Sequence, residues 1–505
     1  MPGFYFRGLA MNLKDEIELA IKLEAEKLSE RHHNYHNLLH LDFERERKRV
    51  ASVPPKVVQI PQYWSSDPKF NPFYVHKRRN SIARSIAAKI TAGTYRPHAP
   101  FAKQVDKVDG SFRNISVYEI PDAAVSALWY EKLLRKNIHR FSGKSYAYRN
   151  DRNAHFAIQD ISTDLSDMSR IFIAEYDFSK FFDSISHAYL YDQFDRNGFS
   201  ISSTDRHIVR AFLGESGKGV PQGTSISLFL ANLVCWKLDR EFEDEGLRFA
   251  RYADDTIIWS SDYSKISAAS NIMGRFSRHV GVEINASKSK GIRLLCDASM
   301  PSEFSGRAES IEFLGYSITA RQVGMKPSSV KKIKRQIAYV LYTVLLQPLQ
   351  SSPPRNLNVP ANGEDVDLIS AVSSIRRYLY GDLHEDFIKR FLGGSTRRLF
   401  YKGVMSFYPL VTDKAQMQAL DGWLVSIVWR VLKRRSRLLV RLGIRRHLTR
   451  FPYNVYKREL AIAFRSHRAS DRRPYALPSF VMIYLALRKA VSEEGLQELL
   501  GKDDY

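Results

Sequence analysis

The chain has 505 residues, 44% of them hydrophobic, and a formal net charge of +23. That length exceeds one compact core, so two or three domains are expected, and the charge calls for a polyanionic partner, nucleic acid before a membrane surface. Cys235 and Cys296 are the only cysteines, which excludes a disulfide framework and a cysteine-type zinc site. No apolar run reaches the roughly 20 residues of a membrane span, and no secretory pattern stands at the N-terminus; a cytoplasmic protein without a membrane partner is expected.

Residues 1–10 carry no assignable pattern. From Asn12 to about Val50 charged residues alternate with Ile17, Leu19, Ala20, Leu23 and Leu28 at helical spacing. His32, His36 and His40 recur every four residues there. With no acidic or cysteine partner at ligand spacing, they read as a solvated or RNA-facing strip before a metal site. Pro54, Pro55, Pro61, Pro68 and Pro72 then make a linker, so residues 1–75 form an N-terminal extension. Val75 to Ala92 is a basic helix. Ala99 to Ile120 alternates around an Asp-Gly pair, a hairpin signal, and carries Lys103 and Arg113. Pro121 opens another helix. Ser142 to Asn153, rich in Tyr, Arg and Lys, suits template contact by stacking and charge.

Two stretches carry chemistry. Residues 171–183, IFIAEYDFSKFFD, are a buried-strand run ending at Asp177. Residues 249–259, FARYADDTIIW, set Asp254 and Asp255 between apolar runs, as two strands joined by a tight turn would. Adjacent carboxylates between buried strands are destabilising unless cations neutralise them, and magnesium is the hard cation for the task. If the strand ending at Asp177 lies beside the hairpin, three carboxylates hold two magnesium ions about 4 Å apart, with manganese the alternative, for in-line phosphoryl transfer. Asp183 reads as structural. Gly214 to Gly223 is a loop whose glycines permit close approach to a ligand, followed by an apolar helix.

Further on, Ser328 to Leu346 sets Lys331, Lys332, Lys334 and Arg335 against an apolar face. Residues 351–367 form a polar insert expected to be a mobile loop. Between Arg430 and Arg473 fifteen Lys or Arg face only Glu459 and Asp471, with Phe451, Tyr453 and Tyr456 interleaved. Aromatics among arginines favour RNA contact over a merely solvated face, and Arg434, Arg435, Arg445 and Arg446 are the candidates.

Taken in order, these blocks resemble a reverse transcriptase. YADD after DFSKFFDSI resembles the palm, and Gly219-Val220-Pro221-Gln222-Gly223 the block beneath the templating pair and incoming nucleotide. Asn285-Ala286-Ser287-Lys288 resembles the block whose lysine lies near the pyrophosphate, and Phe313-Leu314-Gly315-Tyr316 the primer grip. The resemblance runs from about residue 100 to 320. It implies an α+β right-hand polymerase of fingers, a palm with an antiparallel sheet, and a thumb, plus an all-α C-terminal extension. Residues 76–320 would be fingers and palm, 321–400 the thumb and 401–505 a basic helical domain. The implied roles are metal binding and catalysis for Asp177, Asp254 and Asp255, and closure on the triphosphate for Arg113 and Lys103, of which Arg113 is the better match. Gln222 would hydrogen-bond nucleotide or template. Phe182 would lie under the sugar and exclude a 2′-hydroxyl, with Phe181 the competing ring. Lys288 would be a general acid to the pyrophosphate or a passive counter-charge, and Phe313, Leu314 and Gly315 would hold the primer.

The N-terminal extension, the helical C-terminus and the lack of zinc-binding, HNH-like or ribonuclease H-like segments are most similar to the defence-associated, or abortive-infection, reverse transcriptases of bacteria. That resemblance implies an RNA-directed DNA polymerase using deoxynucleoside triphosphates on a companion noncoding RNA, in antiphage defence and as a homo-oligomer in some relatives. Some members prime from a tyrosine, and the 26 tyrosines here nominate none. A group II intron maturase or a retron reverse transcriptase shares the chemistry. A non-catalytic RNA-binding scaffold is the remaining alternative, and the three carboxylates count against it.

Overall fold

The computed structural model describes the chain except residues 1–10, 48–52, 107–109, 111, 167, 298, 303, 351–363, 397, 445–447, 449, 467–474 and 497–505. Arg445, Arg446, most of the polar insert and the acidic tail therefore lie outside the described residues. Two compact units are formed, Met1–His36 with Val58–Glu309, and Asn37–Val57 with Ser310–Tyr505. Among the described residues no helix is long and apolar enough to cross a membrane.

In the first unit, α1 (Leu13–Arg47, shared between the units) buries Ile17, Ala20, Ile21 and Ala25. His32 packs its ring against Trp64 at 5.2 Å and Phe73 at 6.2 Å, an aromatic contact, and His36 and His40 are exposed. α2 (Pro72–Thr91) starts where Asn71 accepts the amide of Phe73 and Pro72 fills the first turn. The hairpin β1 (Phe101–Asp106) and β2 (Phe112–Val117) leads into α3 (Ile120–Asn137) and α4 (Ala154–Leu165). Next come β3 (Arg170–Tyr176), the short β4 (Phe178–Ser179), α5 (Phe181–Ser184), α6 (His187–Arg196), α7 (Ser203–Leu213) and α8 (Ile226–Asp244). The unit closes with β5 (Arg248–Tyr252), β6 (Asp255–Ser260), α9 (Tyr263–Val280), β7 (Glu283–Ile284), β8 (Gly291–Cys296) and β9 (Arg307–Ala308).

The central sheet runs β5-β6-β3-β8-β9, antiparallel except for the β8–β9 pair. α9 packs on β3 and β6, and α8 on β5 and α9. Leu233, Phe242, Phe249, Ile258, Met273 and Phe276 are buried between them, each contributing about 1.5–3 kcal/mol by leaving water. This core fixes the end of the sheet at which β3 stops and β5 turns into β6.

The second unit begins with the meander β10 (Ile311–Phe313), β11 (Tyr316–Ile318) and β12 (Val323–Met325). α10 (Pro327–Leu341) buries Ile333, Ile337 and Leu341 and exposes Lys331, Lys332 and Arg335, while Lys334 stands 5.4 Å over the Trp423 ring. The chain continues through α11 (Gln347–Gln350), α12 (Val366–Tyr380), α13 (Glu385–Leu392), α14 (Lys414–Arg441), α15 (Leu460–Ser466) and α16 (Phe480–Glu494).

Within α14 the basic run splits by helical period. Arg434 is exposed, but Arg435 is fully buried, pairing with Asp365 and Asp367 at 2.8 Å each and donating to the Leu345 carbonyl at 2.8 Å. Tyr453 adds its hydroxyl to the same Asp365. The expectation that Arg435 contacts RNA is therefore wrong: it ties α14 to the start of α12, where Asp365 is the N-cap. A buried arginine needs such partners, because an unpaired charge in the interior is costly.

Candidate active site

Strand register brings the aspartates together. Tyr176, the last residue of β3, pairs with Thr256 of β6, so Asp177 follows beside Asp255. In the β5–β6 hairpin Tyr252 pairs with Asp255, leaving Ala253 and Asp254 as a two-residue turn. Ala253 has φ of 61°, a left-handed conformation unfavourable to a residue with a Cβ by about 1 kcal/mol or more.

What supports this turn was not foreseen from the sequence. Arg251 is fully buried, and all five of its N–H donors are matched. Nε and Nη2 clamp Asp239 at 2.7 and 2.6 Å, Nη2 also donates to Ser145 Oγ at 2.7 Å, and Nη1 reaches Asn232 Oδ1 at 3.3 Å and the Ala253 carbonyl at 2.9 Å. α8 thereby holds the strained residue of the turn through one guanidinium. The hint in the sequence is a charge directly after Phe249 and Ala250, an apolar pair that is buried in the same strand.

The backbone of Arg251 is held too. Its amide donates to Lys144 at 3.0 Å, and its carbonyl accepts from Tyr146 at 2.9 Å. Ser145, Tyr146 and Ala147 are buried as a result, and the Tyr146 hydroxyl bonds Asp160. This part of the segment expected to touch template instead lines the edge of β5. Tyrosines and basic residues in sequence did not reveal which atoms a neighbouring strand would claim.

Asp177 is surrounded by the segment after α9. Asn285 donates its amide to the Asp177 carbonyl at 2.8 Å, and the Asp177 amide donates to Ser289 Oγ at 3.2 Å. Lys288 Nζ sits 2.8 Å from Asp177 Oδ2. Its hydrogen bond to Asp177 holds the ammonium above its ordinary pKa, and Asp254 and Asp255 add to the effect. Burial pushes the Asp254 carboxyl above the usual carboxylate range and the charge of Asp177 pushes it further. Its own backbone hydrogen bond, Lys288 and Arg113 pull the other way. Asp177, Asp254, Asp255, Lys288 and Arg113 thus form one electrostatic cluster.

The donor set fits hard divalent cations: half-buried carboxylates on adjacent strand ends, with a lysine ammonium standing in as cation. Among the described residues the only three metal-type donors within 4.8 Å of one another are His98, Glu119 and Asp122, so the three aspartates do not converge that closely while Asp177 holds Lys288. The His98 trio is otherwise engaged. Lys69 lies 3.3 Å from Glu119, and the Tyr95 hydroxyl donates to Asp122 at 2.7 Å.

The remaining candidates of this unit fall on the β1–β2 hairpin, the loop before α8 and α5. Lys103 pairs with Ile115 and Arg113 with Val105, which puts both exposed basic residues on one face of the β1–β2 hairpin. Gln222 donates from Nε2 to Asp183 Oδ1 at 3.2 Å, and its carbonyl accepts from Ser116 of β2 at 2.7 Å. The next residue, Gly223, has φ of 111°, and a Cβ there would lie 2.6 Å from the Ser116 carbonyl. Its close approach is to the hairpin, where a ligand had been expected. Gly223→Ala should destabilise the protein by more than about 1 kcal/mol in urea unfolding; an unchanged midpoint would contradict this packing. Phe181 is buried and stacks on Phe178 at 5.6 Å, while Phe182 is partly buried, packed against the same core and edge-on to Phe181 at 5.5 Å.

Phe313, Leu314 and Gly315 lie in the second unit. Phe313 pairs with Tyr316, and Leu314 and Gly315 make the turn between β10 and β11 with φ of 47° and 84°. Two positive φ values mark a turn whose twist suits a tight hairpin. The Gly315 carbonyl accepts from Lys326 at 2.9 Å and from Ser329 at 3.2 Å.

Residues 105–318 match the family described as reverse transcriptase (RNA-dependent DNA polymerase). Over 125 residues the chain is 28% identical to the retron Ec86 reverse transcriptase of Escherichia coli, covering 24% of this chain and 35% of that curated relative. Among solved structures, telomerase from Candida albicans with a telomeric RNA fragment aligns at 13% identity and a TM-score of 0.36, over 72% of this chain and 67% of that one. Apo telomerase from Candida tropicalis aligns at 12% identity and 0.35, over 71% and 72%.

Proposed function

We propose, from the premise that residues 105–318 are a reverse transcriptase domain, that the chain is an RNA-directed DNA polymerase making cDNA on a companion noncoding RNA, in antiphage defence. The observation that carries the polymerase reading is Asp177 beside the Asp254–Asp255 turn, with the Lys288 ammonium on Asp177. Asp177, Asp254 and Asp255 would hold two magnesium ions. When bound, these ions acidify the primer 3′-hydroxyl and stabilise the departing pyrophosphate.

The protein side chains do the rest. Lys288, with an exposed stem, is free to leave Asp177 and give a proton to the pyrophosphate. Arg113 and Lys103 meet the triphosphate from one hairpin face, and Asp183 orients Gln222 toward the nucleotide. Phe313, Leu314 and Gly315 hold the primer end, and Phe182 packs beneath the sugar. Phe182→Ala should raise ribonucleotide incorporation at least about tenfold, the value of roughly 1.4 kcal/mol in transition-state discrimination. Unchanged sugar selectivity in primer extension would remove Phe182 from that role.

The overall test is primer extension on an RNA template with deoxynucleotides, beside phage plating, for the parent and Asp254→Asn. Protection that survives loss of synthesis would leave an RNA scaffold in place of a polymerase. The match to the retron Ec86 enzyme supports a second reading, a retron reverse transcriptase. A retron RNA gene beside the coding region selects it; an unrelated noncoding RNA bound to the purified protein selects the first.

A further inference from the structure

An open groove of about 900 Å³ runs between α14 and the segment leading into α15, lined by Gly422, Val425, Trp429, Tyr456, Lys457 and Arg458 among others. Tyr456 is 70% exposed, unusual for so large a ring, and the two following residues are exposed cations. Lys433 stands 5.7 Å over the Trp429 ring. Among the described residues no carboxylate lines the groove.

The wall bearing Tyr456 is held in place. Three residues earlier, the Tyr453 hydroxyl joins the buried Arg435–Asp365 pair, and the Tyr453 carbonyl accepts from Lys433 at 3.2 Å. The opposite wall has an independent peculiarity. Gly422 lies inside the long helix α14, where glycine is a poor helix former. Its φ needs no glycine, and a Cβ there would meet nothing within 4 Å. Neither packing nor backbone geometry accounts for the missing side chain. Its effect is a bare wall facing open space.

We propose that this groove binds single-stranded RNA, stacking bases on Tyr456 and Trp429 while Lys457 and Arg458 neutralise the phosphates. Aromatic faces interleaved with cations are the means by which proteins hold single strands without reading sequence, and only unpaired bases are free to stack. An acidic peptide would meet the cations but brings no succession of flat rings for Tyr456 and Trp429 to stack on. The choice of RNA over other single strands rests on the reading of the chain as an RNA-directed polymerase.

The test measures binding of a fluorescent oligouridylate of about 12 nucleotides, within the usual site size, to the full chain with unlabelled primer–template filling the polymerase cleft. Tyr456→Ala removes the exposed ring, and Gly422→Leu fills the groove while improving helix propensity. Each should weaken the oligonucleotide about tenfold without lowering the melting temperature, which Gly422→Leu should raise. A 4-thiouridine version should crosslink to the peptide containing Tyr456. Unchanged affinity in both variants, or crosslinks confined to other peptides, overturns the RNA occupant and leaves the groove to a peptide. Primer extension run in parallel separates the two readings. Loss of groove binding in the variants of a chain that makes no DNA supports the groove and refutes the polymerase. DNA synthesis with unaltered oligouridylate affinity refutes the groove alone.

Discussion

Asp254→Asn is expected to lower DNA synthesis at least about a thousandfold, since metal-assisted charge stabilisation is worth several kcal/mol and each 1.36 kcal/mol is tenfold. The same change should raise the melting temperature of the metal-free protein at neutral pH. Burial, with Asp177 nearby, holds the Asp254 carboxyl above its ordinary pKa, so the folded state binds that proton more tightly than the unfolded chain. Stability from this group is therefore fully present below the ordinary carboxylate value and is lost as pH rises through the raised one. At pH 7 the ionised side chain opposes folding, and an amide of the same shape does not. The gap between variant and parent should narrow as pH falls through the raised value. Magnesium should stabilise the parent and have less effect on the variant, by preferential binding to the folded form. A variant that melts below the parent without metal would mean that Asp254 is stabilised where it sits, and the metal reading would lose its physical motive.

Arg251→Met should have the larger effect on folding. It leaves Asp239 buried without its partner, and breaking one side of a buried pair costs about 3–5 kcal/mol. Urea unfolding measures that loss. The informative variant is the double one, Arg251→Met with Asp239→Leu, because replacing both charges by apolar groups is often close to neutral. Stability should largely return, yet synthesis should stay low, because the Ala253 carbonyl has lost the donor that holds the turn. If the double variant recovered full synthesis, Arg251 would be a packing residue with no part in positioning the aspartates.

Local pattern made several elements legible. The apolar run through residue 176, the alternation of β1 and β2 and the Asp-Asp turn all follow from spacing within a few residues, and the structure has each in place. The amphipathic period of α10 was equally plain, because its buried and basic positions are set by one helix alone. In the basic run of α14, charge without helical period does not give the environment: Arg434 and Arg435 are neighbours in sequence, but one is exposed and the other buried.

The sequence by itself determined the hairpin of β1 and β2, the strand that ends at Asp177 and the turn that carries Asp254, since those depend on near neighbours. Only the tertiary structure decided that Lys288 neutralises Asp177, that residues 144–146 line β5, and that one guanidinium joins α8 to the turn at Ala253. Each of these links residues far apart in the chain through hydrogen bonds or charge. Such pairings depend on which strand edge and which buried partner the packed core makes available, and no short-range pattern carries that information.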